Sequence, residues 1–447
     1  MWSARGLAAI LLLASCGAPD AEERLRQAIS SGVTPVRLAD GVTEVRREIV
    51  IPAAAGAIEI AGGANSTLRA APGFSGRALL VVEGSAGVRF RDFAIDGNRD
   101  ALQLPPQGLP PYDVPFAEFT RGNGILILKA AGCTVERVVF RQVAGFAVLG
   151  HAGRQVRIDG IRVEDSGSRN PEGRNNTTGG VLLEGGAEDF SVTGSRFTRI
   201  RGNGVWTHSL YTAPRNARGT IRDNHFERIG RDAVQVGHAT RVTVERNRGR
   251  EIGYPLEEVD ALPVAIDTAG NTDESRYAAN EFEEVNGKCI DLDGFHHGEV
   301  TANRCTNRQG PEAYPHGGYA IVMNNTNPDM QSVHVTIRAN VMEGMVYGGA
   351  FIIGRNNRVE DNRFLRLNQA RCGDPRTPFP CNWSSGQPDL PRSGIYLGSG
   401  AERPAPASGN VVAGNEITGF GMRSYCVAAA PGVPAGANRV AGNRCAE

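Results

Sequence analysis

The chain has 447 residues and a formal net charge of zero at pH 7, with 48 basic and 48 acidic residues. This balance gives no electrostatic reason to expect a nucleic-acid or anionic-membrane partner. The length would fit several globular domains or one long repeat array. Glycine is abundant, at 57 residues, which is usual where many bends need a positive φ.

The N-terminus predicts an export signal over residues 1–15. Arg5 precedes the apolar run 7–14, which is too short to span a bilayer as a helix. The tetrapeptide Leu13-Ala14-Ser15-Cys16 resembles the bacterial lipoprotein signal, which implies a lipid on Cys16 as the first mature residue. We therefore expect an exported protein, attached to the outer membrane or cell surface through Cys16. An ordinary signal peptide with a chance cysteine is the alternative.

Residues 16–33 are predicted to form the lipid anchor, a tether and a short capping helix. Asp20 is followed three residues later by Glu23, the pattern of a helix N-terminus. Leu25, Ala28 and Ile29 fall on one helical face. Such a helix suits the open end of a repeat array, which needs a cover.

A short phrase recurs after residue 34: an aliphatic residue, two mostly polar residues, and Asn. Two copies end at Asn224 and Asn247, which are 23 residues apart. Further copies end at Asn280, Asn303, Asn340, Asn362, Asn415 and Asn443. In two earlier copies Gly160 and Gly194 stand at the asparagine position. Because Gly and Asn both reach the left-handed backbone region cheaply, we predict that this position is a left-handed bend in each coil.

The other repeating unit is a five-residue strand. Gly204–His208, Ala233–Gly237, 263–267 and 289–293 are four copies. The second and fourth residues are mostly apolar and are predicted to point inward, while the third and fifth point outward. Three short strands per coil resemble the right-handed parallel β-helix of the pectate-lyase-like superfamily. We therefore predict an all-β, right-handed parallel β-helix solenoid over residues 34–447. That scaffold carries lyases, hydrolases, epimerases, tailspikes and adhesins, so the resemblance alone gives no activity.

Long connections cluster beside the five-residue strand. Those before it are 98–123, 165–179, 253–262, 310–318 and 369–393, and those after it are 209–219, 268–278, 325–332 and 399–409. Loops on both edges of one sheet make its outer surface the floor of a groove. We expect the functional site on that floor.

Ionisable groups concentrate on the middle of this floor. Alignment of the strands at their fifth residue places Asp267 and Asp293 side by side in one column, with Asp291 beside Asp293 on the same face. Three such carboxylates are tolerable if one is protonated, a cation is bound or an arginine is near. We predict Asp267, Asp291 and Asp293 as catalytic acid/base groups, assisted by His208 and His297. As an alternative role, the three aspartates, with Asn324, would bind calcium or a similar hard cation.

Four further residues are predicted to bind substrate. Arg215 would hold a sugar carboxylate, and Trp206 offers a flat face for a sugar ring. Asn324 is the fifth residue of its strand and lies on the floor, and His316 would reach in from the connection 310–318. Pectate-lyase-type enzymes use acidic calcium ligands with Arg or Lys as the base. No lysine falls on the predicted floor, so a lyase would need Arg215 or His208 instead.

These residues predict a carbohydrate-active enzyme, either a polysaccharide lyase or a glycoside hydrolase, with a polysaccharide as partner. The second hypothesis is a non-catalytic surface lipoprotein that binds glycan or has a structural role, and a third is a polysaccharide epimerase. We expect a monomer with no nucleic-acid partner. Whether β-elimination or hydrolysis occurs stays open at this point.

An exported protein can form disulfides. Cys372 and Cys381 bracket a proline-rich loop, Cys426 and Cys445 bracket the last coil, and Cys289 and Cys305 lie within one coil. These three pairings leave Cys133 without a partner, and the spacings do not suggest a zinc site.

Overall fold

The computed structural model describes residues 20–102, 109–169, 175, 177–259, 262–324, 330–382, 386–399 and 406–447. Residues 1–15, Cys16 and the tether as far as residue 19 lie outside the described residues, so lipidation stays a prediction. In the described part of the chain, no helix has the length and apolar character needed to cross a membrane.

Three parallel sheets run the length of the described chain, and each coil contributes one strand to each sheet. The strands of the first sheet are Val36–Arg37, Glu59–Ala61, Arg89–Arg91, Thr134–Glu136, Arg157–Asp159, Ser191–Thr193, Thr220–Arg222, Thr243–Glu245, Arg276–Ala278, Glu299–Thr301, Thr336–Arg338, Arg358–Glu360, Val411–Ala413 and Arg439–Ala441. Those of the second are Gly41–Val45, Ser66–Ala70, Ala94–Asp96, Val139–Arg141, Arg162–Glu164, Arg196–Ile200, His225–Ile229, Arg248–Ile252, Glu281–Val285, Arg304–Thr306, Val341–Glu343, Arg363–Leu367, Glu416–Gly419 and Arg444–Ala446.

The third sheet contains the predicted five-residue strands. Its strands are Ile49–Pro52, Ala78–Glu83, Asn123–Leu128, Phe146–His151, Gly179–Glu184, Asn203–His208, Val234–Val236, Val264–Asp273, Lys288–Asp291, Ile321–Val322, Ala350–Ile352, Ile395–Leu397 and Val427–Ala429. The short strands Asn216–Ala217, Ala239–Thr240 and Asp293–His296 extend it at one side. The predicted parallel coil of three short strands is confirmed.

One apolar core fills the inside of the coil, because successive rungs place apolar side chains on one another. Phe197 and Phe226, one coil apart, stack face to face with ring centroids 5.1 Å apart. Ile266 and Ile290 lie opposite each other on neighbouring strands of the third sheet, and both are buried. Burial of such inward residues is the main stabilising contribution to a solenoid.

The helices are few and short. The predicted capping helix is Ala21–Ser30 (α1), and it starts as expected, with the Asp20 carboxylate accepting a hydrogen bond from the Glu23 N–H at 2.9 Å. It buries Leu25 and Ile29 against the first coil. A one-turn helix, Phe116–Phe119 (α2), lies in the loop before the strand Asn123–Leu128. Single turns of 3₁₀ helix occupy Ala53–Ala55, Arg99–Ala101, Leu256–Glu258, Pro311–Ala313 and Leu390–Arg392.

The prediction that the repeated asparagine adopts the left-handed region is wrong. The positive φ belongs to the residue before it, as at Asp223 (56°) and Ala302 (55°). Gly160 and Gly194 occupy that preceding position, with φ of 60° and 58°. The asparagine instead forms a ladder, buried except at its last member Asn443, in which each side-chain oxygen after the first accepts hydrogen bonds from the asparagine one coil earlier. Its members are Asn224, Asn247, Asn280, Asn303, Asn340, Asn362, Asn415 and Asn443.

The three predicted disulfides are confirmed. Cys289 is bonded to Cys305, Cys372 to Cys381 and Cys426 to Cys445. Cys133 is buried without a disulfide, also as predicted. Burial raises the pKa of its thiol to about 11, so Cys133 is a core residue and not a reactive thiolate.

Candidate functional site

The outer surface of the third sheet carries one column of side chains across the middle coils. Trp206 lies opposite Gln235, and Gln235 lies opposite Asp267. The pairing of Ile266 with Ile290 places Asp267 beside Asp291. Asp293 lies opposite Ala269 instead.

The predicted pairing of Asp267 with Asp293 is therefore wrong by two residues. The sequence alignment matched the two strands by their terminal aspartates. In the structure the inward isoleucines set the register, because a buried face specifies pairing more strongly than an outer one does. A two-residue slip preserves the alternation of faces, so Asp267, Asp291 and Asp293 still belong to one side of the coil.

Asp267 and Asp291 are joined by a third buried carboxylate, Asp232, which the sequence analysis missed. Asp267, Asp291 and Asp232 are 8%, 6% and 1% exposed. One Asp232 oxygen accepts a hydrogen bond from the Val264 N–H at 2.9 Å, and the other lies 3.4 Å from Arg231 Nε. The available signal was the pair Arg231-Asp232 just before the five-residue strand Ala233–Gly237, to which no role was assigned from sequence.

Lys288 is the cation of this cluster, contrary to the expectation that no lysine reaches the floor. Its ammonium is buried and donates a hydrogen bond to the Asp291 carboxylate. The Asn324 side-chain amide donates to both Asp291 oxygens, at 2.9 and 3.1 Å. Asp291 is therefore surrounded by donors, which is the environment of an ionised carboxylate. Lys288 was missed because it lies one residue before the five-residue strand 289–293, and only that strand was assigned to the floor.

The carboxylates of the cluster differ in how readily they hold a proton. Burial, and then the neighbouring Asp232 and Asp291 carboxylates, raise the pKa of Asp267 well above its ordinary value. Burial raises the pKa of Asp232 to about 6, although Arg231 opposes the rise. Burial also raises the pKa of Asp291, and the Lys288 ammonium opposes that rise. Among the residues that the structure describes, none donates a hydrogen bond to the Asp267 carboxylate, so Asp267 is the member best suited to stay protonated.

The cluster does not fit the expected calcium site. Both Asp291 oxygens already accept hydrogen bonds, and the Asn324 group that faces them is its N–H₂ and not its oxygen. In the part of the chain that the structure describes, no group of three or more His, Cys, Asp or Glu side chains is arranged to hold a metal ion. Lys288 supplies the positive charge that a cation would otherwise contribute.

An open groove of about 350 Å³ adjoins the acid cluster on the same face. Its lining is Leu109, Pro110, Pro111, Tyr112, Val114, Phe116, Trp206, His208, Leu210, Arg231 and Gln235. Trp206 is largely buried, with its ring 5.0 Å from Phe116 and 5.3 Å from His208. Trp206 and His208 therefore lie together in the groove, as predicted from their strand. Gln235 and Arg231 connect the groove to Asp267 and Asp232.

A fourth buried carboxylate, Glu184, lies on the same face and was not assigned a role from sequence. Its oxygens accept hydrogen bonds from the Phe116 N–H at 3.0 Å and the Ala117 N–H at 2.8 Å, at the start of α2. His151 and His208 lie on either side of it in the column, with Nδ1 atoms 3.3 and 3.9 Å away. Burial alone would raise the pKa of Glu184, but the hydrogen bond with His151, the nearby His208 ring and the Ala117 N–H lower it below its ordinary value.

The remaining predicted residues lie around the cluster with other partners. Arg215 Nη1 contacts an Asp273 oxygen at 3.0 Å. His297 contacts His296, with Nδ1 atoms 2.9 Å apart, and stacks on His334 at the corner of the coil.

His316 lies in the loop 310–318, where its N–H donates to the Asn286 side chain at 2.9 Å. Asp293 is half-buried. Burial lowers the pKa of Lys288, but Asp291 and, to a smaller extent, Asp293 raise it above its ordinary value. The structure thus brings Asp267, Asp291 and Asn324 together and leaves His297 outside the cluster. Catalytic and binding roles for all these residues stay predictions.

Comparisons with known proteins agree with the architecture. A family model described as a right handed beta helix region matches residues 78–254. The structure of PfbA, a surface adhesin of Streptococcus pneumoniae, has a TM-score of 0.61 at 14% identity, covering 79% of this chain and 89% of that one. DFA-IIIase from Arthrobacter chlorophenolicus A6, in complex with GF2, has a TM-score of 0.55 at 15% identity, covering 79% and 92%.

The catalytic domain of GH87 alpha-1,3-glucanase, in complex with tetrasaccharides, has a TM-score of 0.53 at 12% identity, covering 95% of this chain and 67% of that one. No curated protein sequence matches the chain. With the stacked parallel strands, these similarities show that the chain is a right-handed parallel β-helix. At such identities the solved structures show the fold alone.

Proposed function

We propose that this β-helix protein is a glycoside hydrolase that cleaves a polysaccharide on the outer face of its third sheet. The observation that carries the proposal is a pair of adjacent buried carboxylates that differ in their hydrogen-bond donors. Asp291 accepts hydrogen bonds from Lys288 and Asn324, which favours its ionised form. Asp267 is buried beside other carboxylates, which raises its pKa and favours its protonated form. One protonated and one ionised carboxylate are the requirement of glycoside hydrolysis.

The spacing supports a retaining reaction. Neighbouring strands of a sheet are ~4.8 Å apart, and retaining glycosidases hold their two carboxyl groups ~5–5.5 Å apart. In this mechanism Asp267 donates its proton to the glycosidic oxygen as the bond to the anomeric carbon breaks. Asp291 attacks that carbon and forms a glycosyl ester. Water then hydrolyses the ester, with Asp267 taking the proton from the water.

The geometry favours hydrolysis over β-elimination. A lyase needs an uncharged base to remove the proton at C5 of a uronate. Burial alone would lower the pKa of Lys288, but the adjacent Asp291 outweighs it and raises that pKa, which keeps the amine charged. Arg215 contacts Asp273. These two cations are therefore poor candidates for the base.

A second hypothesis is a non-catalytic surface protein that binds glycan. Asp267 and Asp291 are each less than a tenth exposed, and a Lys288–Asp291 ion pair in such a place also fits a structural role. This hypothesis predicts that neither carboxylate affects any cleavage.

The test compares the wild type with Asp267→Asn and Asp291→Asn on a panel of neutral and uronate polysaccharides. Release of reducing ends reports hydrolysis, and ultraviolet absorbance of an unsaturated product reports elimination. We expect reducing ends without the unsaturated product, and a loss of at least ~10²-fold in each variant.

The matched control is Asp223→Asn. Asp223 is an outward-facing aspartate at a bend away from the cluster, and its carboxylate lies 2.9 Å from Arg246 Nε. It should retain full activity, and circular dichroism should show all variants folded. Wild-type rates in both site variants would remove the carboxylates from the mechanism and favour the binding hypothesis. An unsaturated product would replace hydrolysis with elimination.

A further inference from the structure

The groove beside the acid cluster has an apolar and aromatic surface. One wall is the segment 109–116, the floor carries Trp206 and His208, and Leu210 contributes the opposite side. Among the described residues that line it, the one guanidinium is that of Arg231, which lies 3.4 Å from the Asp232 carboxylate. A groove with few charges and several rings favours a ligand that presents flat apolar faces together with a few hydroxyl groups.

Aromatic rings continue from the floor to the rim. The ring of Trp206 packs against that of His208. The His208 and His238 ring centroids are 6.2 Å apart, and those of His238 and Tyr211 are 4.2 Å apart. Tyr211 is 74% exposed, and Tyr112 on the other wall is 92% exposed. Burial lowers the pKa of His238 to about 4, so its ring is uncharged at neutral pH. Tyr112 in the groove lining and Tyr211, next to the lining residue Leu210, thus expose two phenol rings, and the His238 ring that Tyr211 contacts is uncharged.

The wall of the groove is held in place. Glu184 accepts the backbone N–H groups of Phe116 and Ala117, and Phe116 packs on Trp206 with ring centroids 5.0 Å apart. A wall fixed in this way binds a ligand without first having to become ordered.

The groove leads directly to the acid cluster. Gln235 lines it and is the strand neighbour of Asp267. Arg231 lines it and contacts Asp232. A chain lying in the groove therefore continues over the carboxylates. Lys288 is paired with Asp291 and Arg231 with Asp232, so these two cations are already engaged by protein carboxylates and would not favour the carboxylate of an anionic sugar at that point.

We propose that this groove binds neutral sugar rings of the glycan that the acid cluster cleaves, with Tyr112 and Tyr211 as stacking surfaces. The inference rests on the proposed function and adds the substrate class to it: a neutral polysaccharide and not a polyuronate. Sugar rings present C–H faces to the aromatic rings and hydroxyl groups to Gln235 and His208.

The test measures binding in Asp267→Asn, so that cleavage does not remove the ligand. Affinity electrophoresis with neutral and uronate polysaccharides is compared for this protein and for versions that also carry Tyr112→Ala or Tyr211→Ala. We expect binding of a neutral polysaccharide that weakens about 3- to 10-fold with each tyrosine change. The control Val42→Ala removes an exposed apolar side chain of the first coils and should bind unchanged.

Trp206 gives a second signal, because a ligand in the groove changes its surroundings. Binding should shift the intrinsic fluorescence, and Trp206→Phe should abolish the shift. Preference for a uronate polysaccharide, equal binding by the tyrosine variants, or binding of neither glycan class would each overturn the inference. If Asp267→Asn still cleaves while the tyrosine variants lose binding, the hydrolytic role of Asp267 falls and the neutral-glycan groove stands.

Discussion

At the scale of single residues, the three buried aspartates differ because their partners differ. Asp291 has Lys288 and Asn324 as donors, whereas Asp232 has Arg231 and one backbone N–H. Asp267 is buried next to both, and their charges add to the effect of burial in raising its pKa. The environment, and not the residue type, therefore decides which carboxyl group carries a proton.

Asp232 provides a measurable consequence of that burial. Its pKa rises from 3.8 to about 6 on folding, so the folded state binds the proton more tightly than the unfolded state does. Protonated Asp232 therefore contributes stability to the folded state below pH 4, and this contribution is lost as the pH rises through 6. We expect Asp232→Asn, which keeps an oxygen for the Val264 N–H, to gain stability relative to wild type by about 3 kcal/mol between pH 4 and 7.

Urea unfolding of both proteins at the two pH values measures this difference. The groups that face Asp232 are Arg231, Asp267, Lys288 and Asp291, and all are retained in the variant. Asp223→Asn is the control, and its pH dependence should have the opposite sign. Arg246 lowers the pKa of Asp223, so the stability that the Asp223 carboxylate contributes is lost at acid pH. A stability difference that does not change with pH would show that burial leaves Asp232 unperturbed.

At the scale of elements, the loop before the strand Asn123–Leu128 forms one wall of the groove, and the Glu184 carboxylate fixes that wall to the floor. Glu184 accepts the first two N–H groups of α2, which a helix of one turn cannot satisfy internally. His151 and His208 keep that carboxylate in its charged form.

Removal of the anchor should therefore loosen the wall. In Glu184→Ala the N–H groups of Phe116 and Ala117 lose their acceptor, and we expect at least tenfold faster amide hydrogen exchange there, read by mass spectrometry. Glu188→Ala, which removes an exposed ion pair with Arg154 and Arg218, is the matched control and should leave exchange unchanged. Equal protection in wild type and Glu184→Ala would contradict the assigned role.

At the scale of the whole molecule, the asparagine ladder joins consecutive coils from Asn224 to Asn443. In the interior, Asn303 donates to the Tyr277 carbonyl and the Asn340 side chain, and accepts from the backbone and side chain of Asn280. Each interior member thus satisfies polar groups of neighbouring coils that are buried away from water.

An interior member should matter more than a terminal one. Asn303→Ala leaves buried donors and acceptors of two other coils unsatisfied, so we expect the free energy of unfolding to fall by roughly 2–4 kcal/mol. Asn443→Ala at the half-exposed end of the ladder lets water replace the lost partner and should cost less than ~1 kcal/mol. Chemical denaturation compares the two, and equal losses would rule out the ladder as a cooperative link between coils.

The sequence by itself determined the parallel coil, the capping helix and the three disulfides, because alternating burial, helix caps and cysteine spacing are local patterns. It also indicated that Asp267 and Asp291 belong to one outer face. Tertiary structure decided that Asp291, not Asp293, lies beside Asp267, and brought Asp232 and Lys288 to them. A shift of two residues leaves every side chain on its own face, so periodicity cannot detect it; only the packing of Ile266 on Ile290 inside the coil fixes the register.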